Sequence, residues 1–479
     1  MAAIITEKFR VHNAKQFKED FGESDSSTYL FIGRPWSWAD DTSPPSPKNG
    51  VGEEFDSWSD MIAMKKISSG DVSHGIPRIN WDDTGQTSYD EYAHDYSSAN
   101  LTPASGVDNL HNSSARPYVM TDEYHVYKCI RTGRDANGAV VNSSVKPTGT
   151  DASAIVTTSD AGAAQGYQWK YMYTISASET IKFVTNDFLP VKTIGAVSAL
   201  GGVLNDGSAQ WDVEDNAIDG GIYHVRVDNG GSGYTDGTHT GIAIDGDGSS
   251  GVCTIYVSSG AISKVEVTNY GTGYRRASID LAGASATIGA GTNGAVTPII
   301  SPLYGHGANP VEELGGNYVI VNSRLEFAEG SGDFPTDNDF RRIGLIQDPF
   351  NVGTTTISTD PTLAAFHKMT LSSVSSLSVD DIIMNASSDG SGVAVGRVLS
   401  ISANDVSFIQ VANSEGGFAL FSQTETVYVN GSSIGTVSSV NSAFPEVEKF
   451  SGQVMYIENR GAVSRAADQI EDIKLIIEM

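Results

Sequence analysis

The sequence predicts a mainly β protein: a β-sandwich core with long loops and few short helices, interrupted by two inserted small β domains. Three observations point there. Glycine is abundant, with 51 among 479 residues, and Ser/Thr-rich stretches punctuate the chain with turn signals. The apolar runs are short and alternate rather than recurring at helical spacing. Twice, near 196 and near 367, the composition shifts to Gly/Ser/Val-rich sequence and then back. A chain this long exceeds one ordinary core, so several domains are expected. The segments are residues 1–195, the first part of the core; 196–300, an inserted Gly-rich β-repeat module; 301–366, the second part of the core; 367–444, an inserted small barrel or sandwich; and 445–479, C-terminal strands that close the core.

Taken in order, residues 2–9 alternate weakly, as a strand would. Asn13 and Gln16 have capping-box spacing, and open a short helix through Phe21 in which Phe17 and Phe21 share a face. YLFIGRPW reads as a strand ending at Gly33 and Pro35, and DDTSPPSPKNG, with three prolines, as a loop. Phe55, Trp58, Met61, Ile62 and Lys65 fall at helical spacing, so Glu53–Ile67 is predicted as a helix, with Trp58 as a core anchor rather than a ligand platform. Acidic residues at its start and Lys65 and Lys66 at its end suit the helix dipole. IPRINWDDT and residues 85–118 read as loops, and EYHVYKCI and YQWKYMYTI as strands.

An internal repeat follows. GGIYHVRVDNGGSGY (220–234) returns as GAISKVEVTNYGTGY (260–274), with Ile222, Val225, Val227, Asn229, Gly233 and Tyr234 matched by Ile262, Val265, Val267, Asn269, Gly273 and Tyr274. Each unit reads as strand, Asn/Gly turn and a tyrosine packing back onto its own strand, and two such units stack to bury their apolar faces. Val311–Leu314 suits one helical turn, and Tyr318–Phe327 and RRIGLIQDP are apolar runs. Between 367 and 444, IIMNAS, GVAVGRVLSI, VSFIQV and TVYVNGSSIGTV alternate as strands of a small barrel or sandwich. In the last thirty residues, Val454, Tyr456 and Ile457 form one strand, and Ile473, Leu475, Ile476 and Ile477 another. An apolar β-branched run at a chain end invites aggregation unless it docks, so it is expected as a built-in strand.

The charge balance, 30 basic against 58 acidic residues for a net −28, disfavours a nucleic-acid partner, because phosphate contacts need Lys and Arg. It favours a well-solvated surface or attraction to basic proteins. No apolar run is long enough for membrane insertion, and the start, MAAIITEKFR, lacks the pattern of a secretory signal. Cys129 and Cys253 read as reduced, buried thiols of a protein folded in a cytoplasm. No nucleotide cradle or serine elbow appears. IDGDGSSG resembles half a calcium loop, but Tyr256 stands where the twelfth-position glutamate belongs, so an Asp/Gly turn is the better reading. His306, in YGHG, reads as a hydrogen-bonded loop histidine rather than a catalytic orienter. Asp82 and Asp83 beside Trp81 could hold a sugar, but a turn cap bonded to a nearby arginine is preferred. No cofactor, metal site or catalytic residue is expected.

Four blocks carry a family resemblance: GRPW (Gly33–Trp36), IPRINWDDT (Ile76–Thr84), YQWKYMYTI (Tyr167–Ile175) and FSGQVMYIENRGAVSRAADQIEDIKLIIEM (Phe450–Met479). In this order the chain resembles the baseplate wedge protein of T-even-type contractile phages, the gene-eight product family. The resemblance implies a structural subunit with no catalysis, present as a homodimer or paired copies in each wedge. It implies contacts with other baseplate wedge proteins, assembly in the host cytoplasm, and a place in the tail baseplate of the virion. Within the blocks Arg34, Trp36, Arg78, Trp81, Asp82, Asn459, Arg460, Asp468 and Gln469 are the interface or loop-anchoring candidates, since such side chains suit bidentate pairs and interface anchors. They equally suit bonds that hold long loops on a β core. The chain departs from the family pattern at Gly461 and Ala462, where prolines follow Glu-Asn-Arg, and in its two β insertions. The alternative is a carbohydrate-binding or carbohydrate-cleaving tail component at the host surface, for which Tyr234 and Tyr274 would have to face solvent. Both are expected to be buried.

Overall fold

A computed structural model describes residues 5–93, 115–326 and 332–479. The mainly β expectation is borne out: strands and sheets dominate, and the helices are short. The chain folds as two compact units, one of residues 1–15, 73–320 and 476–479, the other of residues 16–72 and 321–475.

In the first unit, Tyr118–Met120, His125–Arg131, Gln168–Thr174 and Ile155–Thr157 form a four-stranded sheet in that order. One of its faces packs into an aromatic cluster that residues outside the strands, Tyr89 and Tyr167, complete. Tyr89, Tyr127, Tyr167, Trp169 and Tyr171 are all buried, with Tyr167 and Trp169 stacked at 5.6 Å and Tyr89 edge-on to Trp169 at 5.4 Å. Val213, from the helix Ala209–Asp215, packs into this cluster. The helix is tied down from its other face, where buried Glu214 accepts from the backbone N–H groups of Ile194, Gly195 and Ala196.

The repeat is visible as duplicated geometry. Ile222–Ser232 pairs with Thr292–Ile300, and Ala261–Thr272 pairs with Ser249–Ser258. In each copy the asparagine side chain accepts from the glycine two residues on: Gly231 to Asn229 at 2.9 Å and Gly271 to Asn269 at 3.1 Å. Those glycines have φ of 64° and 60°, the left-handed region that a Cβ disfavours. The tyrosine that closes each copy turns inward. A Cβ added to Gly291 would stand 2.4 Å from the Tyr234 ring, and one added to Gly248 would stand 2.4 Å from the Tyr274 ring, so glycine makes room for both rings. Ser301 N donates to Gly221 O at 2.9 Å, which brings the two ends of the segment 222–300 together.

In the second unit a five-stranded sheet runs Thr362–Ala364, Met61–Lys66, Thr28–Gly33, Asn338–Gln347 and Gln453–Arg465. Six further strands, between His367–Leu371 and Ser432–Asn441, close a barrel around Met369, Leu371, Val398, Phe408 and Val437. Residues of Tyr318–Glu326 and Ile470–Glu478 contribute to both units. In the first, Met479 N donates to Asn317 O at 3.1 Å. In the second, Arg324 holds Asp472 through two bonds, at 2.9 and 3.0 Å. The last apolar segment is therefore built in, with Ile473 and Leu475 buried.

Several local expectations are corrected. The stretch predicted as one helix over Glu53–Ile67 is a helix Val51–Ser59 followed by the strand Met61–Lys66. Met61, Ile62, Ala63 and Met64 are all fully buried, and a strand covered on both faces reads as a continuous apolar run that mimics a helical stripe. Trp58 is a core residue, as expected. Of the weakly alternating residues 2–9, residues 2–4 lie outside the described residues and Glu7–Phe9 open a helix Glu7–Asp20 rather than a strand, so Asn13 lies inside that helix and caps nothing. Phe17 and Phe21 do meet, at 5.2 Å. Ile76 and Pro77 end the strand Val72–Pro77 rather than belonging to a loop. Of the long loop expected over 85–118, residues 94–114 lie outside the described residues, as does Phe327.

Candidate functional site

Four candidates in the second unit, Arg34, Trp36, Asn459 and Arg460, converge on one polar network. Gly33 ends a strand, Arg34 takes a left-handed φ of 55°, and its N–H donates to Asp60 O at 2.8 Å. The Arg34 guanidinium lies over the Trp38 ring at 4.0 Å and the Trp36 ring at 5.5 Å, a cation–π contact. It also reaches the Asp60 carboxylate at 3.7 Å. Arg342, from Asn338–Gln347, donates to Asp60 at 3.0 and 3.2 Å, to Glu53 at 2.9 Å and to Asn459 Oδ1 at 2.9 Å. Its neighbour Arg341 grips Asp41 at 2.9 and 3.0 Å, Asp339 at 3.0 Å and Pro35 O at 2.5 Å. Asn459 passes the network on to the proline-rich loop by donating to Pro45 O at 3.0 Å. Trp38 Nε1 donates to Arg460 O at 3.0 Å, while the Arg460 side chain meets Glu458 at 3.3 Å.

Burial governs the electrostatics. Asp60 is pushed up to about 7 by loss of solvent, against the opposing pull of Arg342 and Arg34. Lys449 is pushed down to about 8 by burial, with Asp60 opposing. The network thus holds more charge than an apolar core tolerates unless every member is bonded. Its bonds all close within the unit and tie the loop 35–50 to the sheet.

Arg78, Trp81 and Asp82 lie in the first unit and form a separate group. Arg78 donates to Asn80 Oδ1 at 2.9 Å and to Thr185 O at 2.8 Å. Trp81 N donates to Met120 O at 2.9 Å, and its ring is half-buried against the aromatic cluster. Asp82 accepts from Thr84 and Thr87, both at 2.6 Å, and these bonds lower it to about 2. It caps its turn, but with threonines and not with the expected arginine. Arg78 and Asp82 also line a concavity of about 600 Å³ beside Arg10, Arg116 and Glu478. Asp468 and Gln469 sit apart from both groups, exposed in the turn before Ile470–Glu478, where Gln469 Oε1 accepts from Ala466 N at 3.3 Å.

Tyr234 and Tyr274 are 7% and 1% exposed. Tyr274 OH donates to Ile244 O at 2.8 Å, so neither ring forms a stacking platform. His306 is a bonded loop histidine: its Nδ1 lies 2.5 Å from Glu313 Oε1, and Glu313 Oε2 accepts from Gly307 N at 2.8 Å. Burial pushes the Glu313 carboxyl up, but His306 and Lys128 outweigh it, and the carboxyl falls below its usual range. Both cysteines are buried free thiols. Among the described residues no group of three His, Cys, Asp or Glu side chains could hold a metal ion, and no described helix is long and apolar enough to cross a membrane.

Sequence reasoning missed the hub of the larger network. Arg341, Arg342 and Asp60 were not singled out, although a double arginine inside an apolar strand is a signal in itself: burying two guanidiniums demands carboxylate partners.

The candidates in the larger network pin a long loop to a β scaffold, an arrangement that serves the structure of the chain. Comparison with known proteins gives the relationship. Residues 3–142 match the family described as Bacteriophage T4, Gp8, and so take in the GRPW and IPRINWDDT blocks. The baseplate wedge protein gp8 of Enterobacteria phage T4 is 24% identical over 244 residues, 45% of this chain and 66% of the relative. The chain thus spans just under two thirds of that relative's length. The resemblance drawn from the four blocks is borne out, and a T4-like gp8 family is supported.

Proposed function

We propose that this protein is a structural subunit of the baseplate wedge of a contractile phage tail, linking neighbouring wedge proteins during virion assembly. The observation that carries the reading is the similarity to a protein named as a baseplate wedge protein, together with the family match over residues 3–142. Several candidates support it, since Arg34, Asn459 and Arg460 take part in the contacts that hold the loop 35–50 in place. In this reading the chain is not an enzyme, acts without a cofactor, assembles in the host cytoplasm and takes its place in the tail baseplate as a homodimer or paired copies. Arg78, Asp468 and Gln469 are the candidates with groups left over for a neighbour. Co-expression with the other wedge proteins of the same phage, followed by native mass spectrometry, tests it. Stable complexes holding paired copies are expected. A chain that stays alone with every wedge partner would overturn the reading.

A further inference from the structure

The five-stranded sheet has an open edge. Its last strand, Gln453–Arg465, pairs with Asn338–Gln347 on one side and, among the described residues, with no strand on the other. Part of that edge is covered. The bonds from Trp38 to Arg460 O and from Asn459 to Pro45 O lay the proline-rich loop over it. Gly461 belongs to the same contact, since a Cβ there would stand 2.9 Å from Asp41 O. Between Val454 and Ile457 the loop stands off, leaving a groove of about 340 Å³ walled by Pro47–Gly50 and Glu54.

An exposed strand edge is a template for another strand, and proteins defend such edges with charges, prolines or a covering element. Gln453, Val454, Met455, Tyr456 and Ile457 contain no charge and no proline. Beside them the surface is apolar: Met455 is 48% exposed, Val51 80%, and Phe55 and Phe450, stacked at 4.9 Å, about half. The adjoining helix adds the exposed carboxylates of Glu54 and Asp56, while the groove wall supplies one cation, Lys48. We infer that Gln453–Ile457 receives an extended segment of a different protein as an added strand, one that alternates apolar with basic side chains. The edge fixes the extended form, because only a strand satisfies its row of donors and acceptors. The apolar rim and the acidic helix set the side chains. At this edge the net charge of −28 favours a basic segment over the same acidic surface of a second copy, whichever other face pairs copies of the chain. This inference stands on the edge itself and holds whichever assembly the chain joins.

The test uses the full-length chain and a synthetic peptide of alternating valine and lysine, read by fluorescence anisotropy and by amide hydrogen exchange. Saturable binding with slowed exchange at Gln453–Ile457 is the expected result. Replacing lysine by glutamate, or the two central residues by proline, should weaken binding by at least about tenfold, as should Met455→Lys in the protein. Absence of saturable binding overturns the inference, as does equal binding of the proline peptide. So does concentration-dependent self-association that slows exchange at the same amides with no peptide present, because the edge would then belong to a second copy.

Discussion

Replacing Arg342 by methionine tests whether the buried network serves the fold of the chain on its own. Arg342 is 2% exposed, and its removal deletes two bonds to Asp60 and one each to Glu53 and Asn459. Breaking a buried pair by removing one partner costs about 3–5 kcal/mol, mostly as the penalty of the charge left behind. The penalty depends on pH, because Asp60 can escape it by taking a proton. Its folded value of about 7 already lies above the unfolded one. Between the two the folded state binds a proton that the unfolded state does not, so this group's contribution falls as pH rises through that window. Without Arg342 the folded value climbs further and the decline continues to higher pH. The variant should therefore lose the full amount at about pH 8 and only about 1–2 kcal/mol, the lost neutral bonds, at about pH 5.5. In a unit of this size the alkaline loss amounts to roughly 6–20 °C in the melting temperature. Circular-dichroism melts at the two pH values read it directly. Adding Asp60→Asn should recover part of the alkaline loss, because it removes the stranded charge. A melting temperature unchanged at both pH values, or strictly additive single and double variants, would show that Arg342 does not hold Asp60. The arginine would then serve an external partner rather than the fold.

Three further outcomes follow from the same geometry. His367 stacks on Phe408 at 5.4 Å and is pushed down to about 4 by burial and then by Lys449. It is neutral in the fold where the unfolded chain is charged, so on the order of 3 kcal/mol present above pH ~6.5 is lost as pH falls toward the folded value. His367→Phe should flatten acid unfolding over that window in a pH titration of stability, and an unchanged slope would refute the assignment. Gly291→Ala should cost about 1–3 kcal/mol by forcing the Tyr234 ring aside, measured by urea unfolding, whereas Gly390→Ala, with open space around it, should cost almost nothing. Replacing residues 222–300 with a short linker should leave a soluble fold with unchanged near-ultraviolet dichroism from the aromatic cluster. Moving the cut to 200–298 should perturb that signal, because it removes Val213 and Glu214 as well; equal spectra for the two deletions would contradict the packing of that helix.

The contrast between what was legible and what was not has a physical basis. EYHVYKCI and YQWKYMYTI were legible although both are buried on both faces, because aromatic and β-branched residues are interleaved with His, Lys and Gln in a way that favours a strand. The repeat was legible because duplicated turns need the same Asn and Gly at the same offsets, and the structure shows both copies using them alike. The segment Met61–Lys66 was misread because a strand buried on both faces has no polar face to reveal its period, and the preceding helix lent it a helical phase. The network was half legible. Arg34, Trp36, Asn459 and Arg460 were singled out from blocks near the two ends of the chain, but the residues that join them, Asp60 and Arg342, lie in stretches that read as ordinary helix and strand. Long-range pairing of buried charges leaves no local period, since Asp60 and Arg342 are 282 positions apart. The demand itself is legible, however: a strand that is otherwise apolar cannot bury Arg341 and Arg342 without carboxylates from elsewhere. That rule points from the strand to Asp41, Asp339, Glu53 and Asp60, and so to the loop and helix that the arginines hold against the sheet.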